Sequence, residues 1–352
     1  MCTDPTDADA LYYGSDLASD VGLLEDADSL LTRCLQIDRS HPGCTFTLMI
    51  VRIQQGRFND VASLLDQALK NGNHYPWLDE PVGYAELAKG NPERALAHFK
   101  ALAVSGRQLG SSVHFRASQD GIAEVALYQG RVEDARRQIV AALQTSSSSS
   151  DKANYFLYLA QIDALGGQST DAKQEVKTAI QLSDKADLAA SAAKVLAAVG
   201  DFEGAHQLLQ RHRNSAPGLG NVYSATDQFL IGAEARSKSD LDKSISVIAD
   251  AYRFDPDPAF GYYLARLQMQ SGRWKDAIET LKQLLNARGT LIMGDSPALL
   301  IPLAERDLGI CEEHLGNLTE AAQYFSMVES IWGRADPALK NTIRARAGGP
   351  GF

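Results

Sequence analysis

Cysteine, clustered positive charge and long apolar runs are scarce in this chain, and each shortage closes a class of function. The four cysteines, Cys2, Cys34, Cys44 and Cys311, form no CxxC pair and show no metal-ligand spacing, so no metal centre and no disulfide framework are expected. Cys34 and Cys311 fall within amphipathic helical patterns, where a thiol serves as a small buried hydrophobe. Lys and Arg total 34 against 44 Asp and Glu, a net charge of −10. That balance argues against nucleic-acid binding, because phosphate contacts need clustered cations. No apolar run approaches the roughly 20 residues of a membrane span, so direct membrane insertion is not expected.

Catalytic signatures are missing as well. There is no GxxxxGK[ST] loop and no HExxH, and Gly218-Leu-Gly220 lacks the third glycine of a dinucleotide loop. His206 and His212 stand six apart, on different faces of a helix. Asp255 and Asp257 lack the glycine and distal glutamate of a calcium loop. The chain is expected to be non-enzymatic, with no cofactor, no catalytic residue and no metal.

What the sequence does contain is a recurring phrase. In Ser271–Leu285, SGRWKDAIETLKQLL, Gly272 closes one helix and an amphipathic helix follows. The same register finds Gly22, Gly56, Gly90, Gly130, Gly167, Gly200, Ser239 and Gly316, at intervals of 34, 34, 40, 37, 33, 39, 33 and 44 residues with Gly272 in its place. Five residues after each anchor the side chain is small or β-branched, as at Ala27, Val61, Ser244 and Ala277. Nine residues after it the side chain is always apolar, as at Leu31, Phe99, Ile248 and Phe325. Seven residues before it the residue is small in all copies but Met49. Steps of four and three hold these positions on facing sides of two helices, so the chain reads as an array of helical hairpins. Each hairpin buries its apolar face on its neighbours, which lets the core grow linearly.

A period near 34 with these columns resembles the tetratricopeptide (TPR) repeat family. The resemblance implies an all-α, right-handed α-solenoid of about nine TPR-like hairpins. Residues 1–7 are expected to form a polar tail, 8–346 a continuous array with a C-terminal capping helix, and 347–352 a flexible tail. Ser105–Ser112, Thr145–Ser150 (TSSSSS) and Arg213–Gly220 are expected to be long connections, the serine run mobile. Asp255-Pro256-Asp257-Pro258 separates two repeats. Trp274 is expected to wedge between the helices of its own hairpin.

The C-terminal third carries a more specific resemblance. Leu285-Asn-Ala-Arg-Gly289, Gly294-Asp-Ser-Pro297, Leu308-Gly309 and Ile331-Trp-Gly-Arg-Ala-Asp-Pro337 look like the closing segment of a bacterial TPR family. That family forms the C-terminal sensory or interaction region of serine/threonine protein kinases and winged-helix transcriptional regulators. It implies a signalling scaffold that binds a protein or peptide; the alternative is a small-ligand sensor module of such a kinase or regulator. Compartment is left open between cytoplasmic and, for a membrane-anchored parent, extracytoplasmic.

In TPR-like arrays the first helix of each hairpin lines the concave face, with residues thirteen, ten, six and three before the anchor pointing inward. Those positions assign Phe229, Arg236, Tyr262, Arg266, Met269 and Arg306 to partner binding, since arginine pairs carboxylates bidentately and aromatics supply contact area. As exposed charges, Arg266 and Arg306 are expected to matter little for folding. Upstream the same positions give Asp120 and Glu124, an acidic stretch. A carboxylate clamp would need Lys and Asn where Phe46 and Ile50, Glu80 and Tyr84, and Asp120 and Glu124 stand, so that mode is excluded.

Overall fold

The computed structural model describes residues 7–20, 22–213, 219–294 and 296–343. The terminal tails beyond those limits, Cys2, and the middle of the Arg213–Gly220 connection lie outside the described residues. The described residues form twenty α-helices and one 3-10 turn, without a strand. In chain order the helices are α1 (Ala8–Asp20), α2 (Leu24–Ile37), α3 (Pro42–Gln54), α4 (Phe58–Lys70), α5 (Asp79–Ala88), α6 (Pro92–Leu109), α7 (Ser112–Tyr128) and α8 (Val132–Thr145). They continue with α9 (Ser149–Leu165), α10 (Ser169–Leu182), α11 (Ala186–Ala198), α12 (Phe202–His212), α13 (Gly220–Ser237) and α14 (Leu241–Phe254). The last are α15 (Pro258–Gln270), α16 (Trp274–Asn286), α17 (Arg288–Met293), α18 (Leu300–His314), α19 (Leu318–Ile331) and α20 (Pro337–Lys340). Apart from α17 and α20 they pair in sequence, giving nine hairpins among the described residues.

The turn inside each hairpin is made the same way. All eight anchor glycines have φ between 69° and 83°, and Ser239, the ninth anchor, has φ 64°. Ser239 is the one non-glycine residue at positive φ among those described. The amide after each anchor donates to the carbonyl five residues back, from Arg57 to Arg52 (2.8 Å) through Asn317 to Glu312 (2.9 Å). This is the Schellman closure, which needs a left-handed residue and therefore favours glycine.

Packing inside the hairpin is a size exchange between two columns. Where the residue nine after the anchor is Phe99 or Phe325, the residue seven before is Gly83 or Gly309, and a Cβ there would stand 2.8 Å from the ring in both cases. Gly232 makes the same room for Ile248. At four other aliphatic partners, Ile139, Val176, Leu209 and Leu281, alanine stands at the position seven before the anchor, Ala123, Ala160, Ala193 and Ala265. Met49 is the large exception, and its counterpart Leu65 is only half-buried. Between the two columns the residue five after the anchor is buried in every copy; at Ser244 the hydroxyl donates to the Gly232 carbonyl (2.8 Å).

The chain divides into two compact units, Met1–Val125 with Asn286–Asp295, and Ala126–Leu285 with Ser296–Phe352. In the first, helices α1, α3 and α5 touch in succession over a core of Leu11, Leu31, Leu48, Ile53, Val61 and Val82. Helix α17 belongs to this unit and lies against α3 and α5. Its Gly289 approaches the backbone so closely that a Cβ would stand 1.8 Å from the Ile53 carbonyl oxygen. In the second unit α9, α11 and α13 touch in succession, and α15 meets α18.

A strap follows α19 in that second unit. Trp332 is fully buried and donates its indole N–H to the Tyr128 carbonyl (3.2 Å). The Asp336 amide donates to the Gly130 carbonyl (3.0 Å), and the Asp336 carboxylate accepts from the Glu133 amide (3.1 Å) in the first turn of α8. The Trp-Gly-Arg-Ala-Asp-Pro motif thus fastens residues 332–336 to a turn some 200 positions earlier in sequence.

Several local readings are corrected. Cys34 is not a free thiol but is bonded to Cys44; the short turn from α2 into α3 brings their Cα atoms to 6.4 Å, within disulfide reach. Cys311 is free and buried. The serine run is no long loop, because α8 extends to Thr145, α9 begins at Ser149, and Ser148 caps α9 by accepting from the Asp151 amide (3.3 Å). Helix α6 runs on to Leu109, so only Gly110 and Ser111 join it to α7. Trp274 stacks on His314 of the following hairpin, with ring centroids 3.9 Å apart. The Asp255–Pro258 break stands, with Asp257 capping α15 through the Ala259 amide (2.8 Å).

Candidate partner-binding site

Three of the six residues assigned to partner binding converge on a residue outside the inward columns, Asp307. Its carboxylate is fully buried. Arg306 donates to Oδ1 from Nε (2.9 Å) and Nη2 (2.6 Å). Tyr262 donates its hydroxyl to Oδ2 (3.1 Å), and Arg266 Nη1 lies 3.3 Å from the same oxygen. The third nitrogen of Arg306, Nη1, donates to Thr342 Oγ1 (3.1 Å) in the segment after the strap. Burial, then the Asp307 charge, push the Tyr262 phenol above its ordinary range. Burial likewise pushes the Cys311 thiol up to about 12.

The other three assigned residues sit apart from this cluster. Phe229 is buried, stacked on Phe260 (4.8 Å between centroids) and edge-on to Tyr263 (5.1 Å). Arg236 holds its guanidinium 5.3 Å over the Tyr263 ring, and Met269 is buried. Arg266 and Arg236 are half-buried, and Arg306 is only 8% exposed. The expectation that Arg266 and Arg306 matter little for folding is overturned: removing them would strand a buried carboxylate. Asp307 escaped the sequence reading because it occupies no inward position. The available signal was a Glu-Arg-Asp triplet inside a helix otherwise apolar from Leu300 to Cys311.

In the first unit the inward positions look different. Phe46 of α3, Trp77 just before α5, and Glu80 and Tyr84 of α5 are all half-buried, as is Asp120 of α7. Phe46 meets Trp77 edge-on (6.4 Å), Trp77 lies tilted on His114 (4.1 Å), and Tyr84 meets Phe99 (5.0 Å). Burial, then the neighbouring Asp120 charge, push the Glu80 carboxyl up to about 7. Glu124, one turn beyond Asp120, is buried. This face combines aromatic area with the carboxylates of Glu80 and Asp120, the Glu80 group held back from ionising by burial and then by the Asp120 charge. Binding a cation there would relieve that repulsion.

One further group of possible cation ligands stands among the described residues, Cys34, His41 and Cys44. The spacing Cys-x6-His-x2-Cys falls outside the patterns sought in the sequence. No helix among those described is long and apolar enough to cross a membrane.

Comparison with known proteins agrees with this geometry. Residues 262–339 match the family model described as tetratricopeptide repeat. Similar solved structures include a tetratricopeptide repeat protein from Parabacteroides merdae ATCC 43184, 12% identical, covering 82% of this chain and 99% of that one, with a TM-score of 0.47. They also include the APC/C hetero-tetramer Cut9-Hcn1, 15% identical, covering 86% of this chain and 57% of that one, with a TM-score of 0.50. A third is yeast Tom70, 12% identical over 94% of this chain and 77% of that one, with a TM-score of 0.37. The likeness to Cut9-Hcn1 concerns the fold alone. No curated protein matches the chain. Tetratricopeptide-type helical repeats are in general protein–protein interaction modules and not catalysts.

Proposed function

We propose that the protein is a non-enzymatic scaffold in a signalling pathway and that it binds an extended peptide along the first helices of its hairpins. The signalling context rests on the resemblance of the C-terminal third to the tetratricopeptide regions of bacterial kinases and winged-helix regulators. The observation that carries the binding reading is the aromatic and acidic face of the first unit, where burial, then the Asp120 charge, raise the Glu80 carboxyl to about 7. The six residues assigned from the sequence then divide: Tyr262, Arg266 and Arg306 shape their part of the array from within, while Arg236, half-buried, lies over the Tyr263 ring. The partner chemistry that suits Glu80, Asp120 and the rings of Phe46 and Trp77 is a basic peptide with apolar neighbours, because a cation gains from both carboxylate and aromatic face.

A small-ligand reading keeps one supporting feature. A cleft of 380 Å³ in the first unit is lined by Leu65, Leu69, Tyr75, Leu78, Asp79 and Leu109, a volume within the range of small-molecule sites. The peptide reading is the better supported, because two residues of opposite chemistry to a basic peptide already interact on the first-helix face.

The test is affinity for short synthetic peptides of matched length, one series rich in Lys and Arg and one rich in Asp and Glu. Basic peptides are expected to bind, more tightly as pH rises through 7, since Glu80 must ionise to hold a cation. Changing Glu80→Gln with Asp120→Asn should weaken them roughly tenfold, about 1.4 kcal/mol, and flatten the salt dependence. Unchanged affinity in a variant that melts like the parent would reject this face.

A further inference from the structure

We propose that the reduced protein carries a thiolate–imidazole site for a soft divalent cation of the zinc class, built from Cys34, His41 and Cys44 where α2 passes into α3. Both sulfurs and a ring nitrogen of His41 lie within 4.8 Å of one another. A tetrahedral zinc ion with Zn–S near 2.3 Å and Zn–N near 2.0 Å separates its ligand atoms by roughly 3.5–3.8 Å. Reaching that spacing from the disulfide needs side-chain rotation and little else, since the three residues bracket one short turn.

The ring of His41 is already set for this role. Its Nε2 lies 3.1 Å from the Asp9 carboxylate, which fixes the proton there, so the lone pair is on Nδ1. Nδ1 in turn faces the start of α3, where it accepts from the Cys44 amide (3.0 Å). A carboxylate behind the distal nitrogen is the arrangement that orients metal-binding histidines. Tyr12 of α1 rests on the ring at 5.6 Å and closes that side. Cys44 is the third residue of α3, in the first turn, where the exposed amides and the helix dipole favour a thiolate. Cys34 and Cys44 are fully buried; the three side chains fill three corners of the tetrahedron, and a water molecule takes the fourth.

The chemistry balances in two steps. An external dithiol supplies two electrons and two protons, the S–S bond breaks, two thiols form, and the reductant leaves as its own disulfide. The cation then displaces both thiol protons and takes over Nδ1 from the Cys44 amide. The disulfide and the metal are alternative staples for the same helix junction, and the oxidised protein takes up no metal.

The experiment uses the full chain with Cys2→Ser, so that a thiol outside the junction does not report. It is reduced with a phosphine and titrated with Co2+, which absorbs through thiolate charge transfer and tetrahedral d–d bands. The expected result is saturation at one equivalent, bleaching by Zn2+, and no bands in the oxidised protein. Asp9→Asn should weaken binding by about 10–100-fold. His41→Asn keeps an acceptor for the Cys44 amide, and so keeps the helix cap, but should weaken binding further still. Absence of charge-transfer bands in reduced protein with native circular dichroism would overturn the site. So would a folded His41→Asn variant that binds as the parent does.

Discussion

The first helices of the two units occupy the same register positions and use them in opposite ways. Ten residues before their anchors stand Glu80 and Asp120 in the first unit, and Tyr262 and Arg306 in the second. Glu80 and Asp120 are half-buried, and burial, then the Asp120 charge, hold the Glu80 carboxyl back from ionising. Tyr262 and Arg306 are buried around a carboxylate that satisfies them, with Thr342 laid over the guanidinium. Position in a repeat sets the direction in which a side chain points. What covers it decides whether it binds a partner or holds the fold.

The largest expected effect comes from the satisfied cluster. Asp307→Ala leaves Arg306 buried without its acid, and should destabilise the protein by about 3–5 kcal/mol in urea unfolding. Glu80→Gln in the first unit should change stability by less than about 1 kcal/mol at pH 7, since it relieves repulsion and breaks no pairing. Equal effects of the two substitutions would erase the distinction.

A second buried acid in the second unit sharpens it through pH. Arg136 pairs with Asp163, which is 1% exposed, and lies 3.4 Å from Glu175. Here two acids share one guanidinium, and burial followed by the Asp163 charge pushes Glu175 up to about 8. A folded-state value above the unfolded one means that the folded protein holds the extra proton. Its contribution is fully present below the ordinary carboxylate range near 4.5 and is lost as pH rises towards 8. Glu175→Gln should therefore flatten the fall in melting temperature between those limits, and stabilise by about 1–3 kcal/mol at pH 8. The Asp307 cluster has two guanidiniums for one acid, so Asp307→Asn should show no such rescue at high pH.

Legibility followed the same division. The anchors, the small and apolar columns and the nine hairpins could be read because a Schellman turn demands glycine at a fixed distance from each helix crossing. The exchange of Gly83 for Phe99 and Gly309 for Phe325 was present in those columns too. Segments without a period were opaque. Nothing in the spacing shows that α17 lies against α3 and α5, or that Thr342 covers Arg306. The Trp-Gly-Arg-Ala-Asp-Pro motif stood out as a resemblance, while its docking on Gly130 and Glu133 needed the fold. The Cys34–Cys44 bond was missed because Cys34 was read as a buried position in its own helical pattern, which says nothing of the turn leading to Cys44.

Two smaller effects test the register on which the comparison stands. Ala277→Leu adds bulk at a fully buried helix crossing and should cost about 1–3 kcal/mol; a parent-like melting curve would misplace the crossing. Ser239→Gly relieves the one described non-glycine residue at positive φ and should stabilise by about 0.5–1 kcal/mol. A loss of stability there would mean that Ser239 contributes more than its conformation costs.

Hydrogen–deuterium exchange across the whole chain, with and without a saturating basic peptide, tests the central claim most directly. Protection is predicted at Glu80–Ala88 of α5 and Asp120–Tyr128 of α7, with α15 and α18 unchanged because their inward residues are already engaged. Protection centred on Tyr262–Met269 or Leu303–Ile310, with α5 and α7 unaffected, would contradict it.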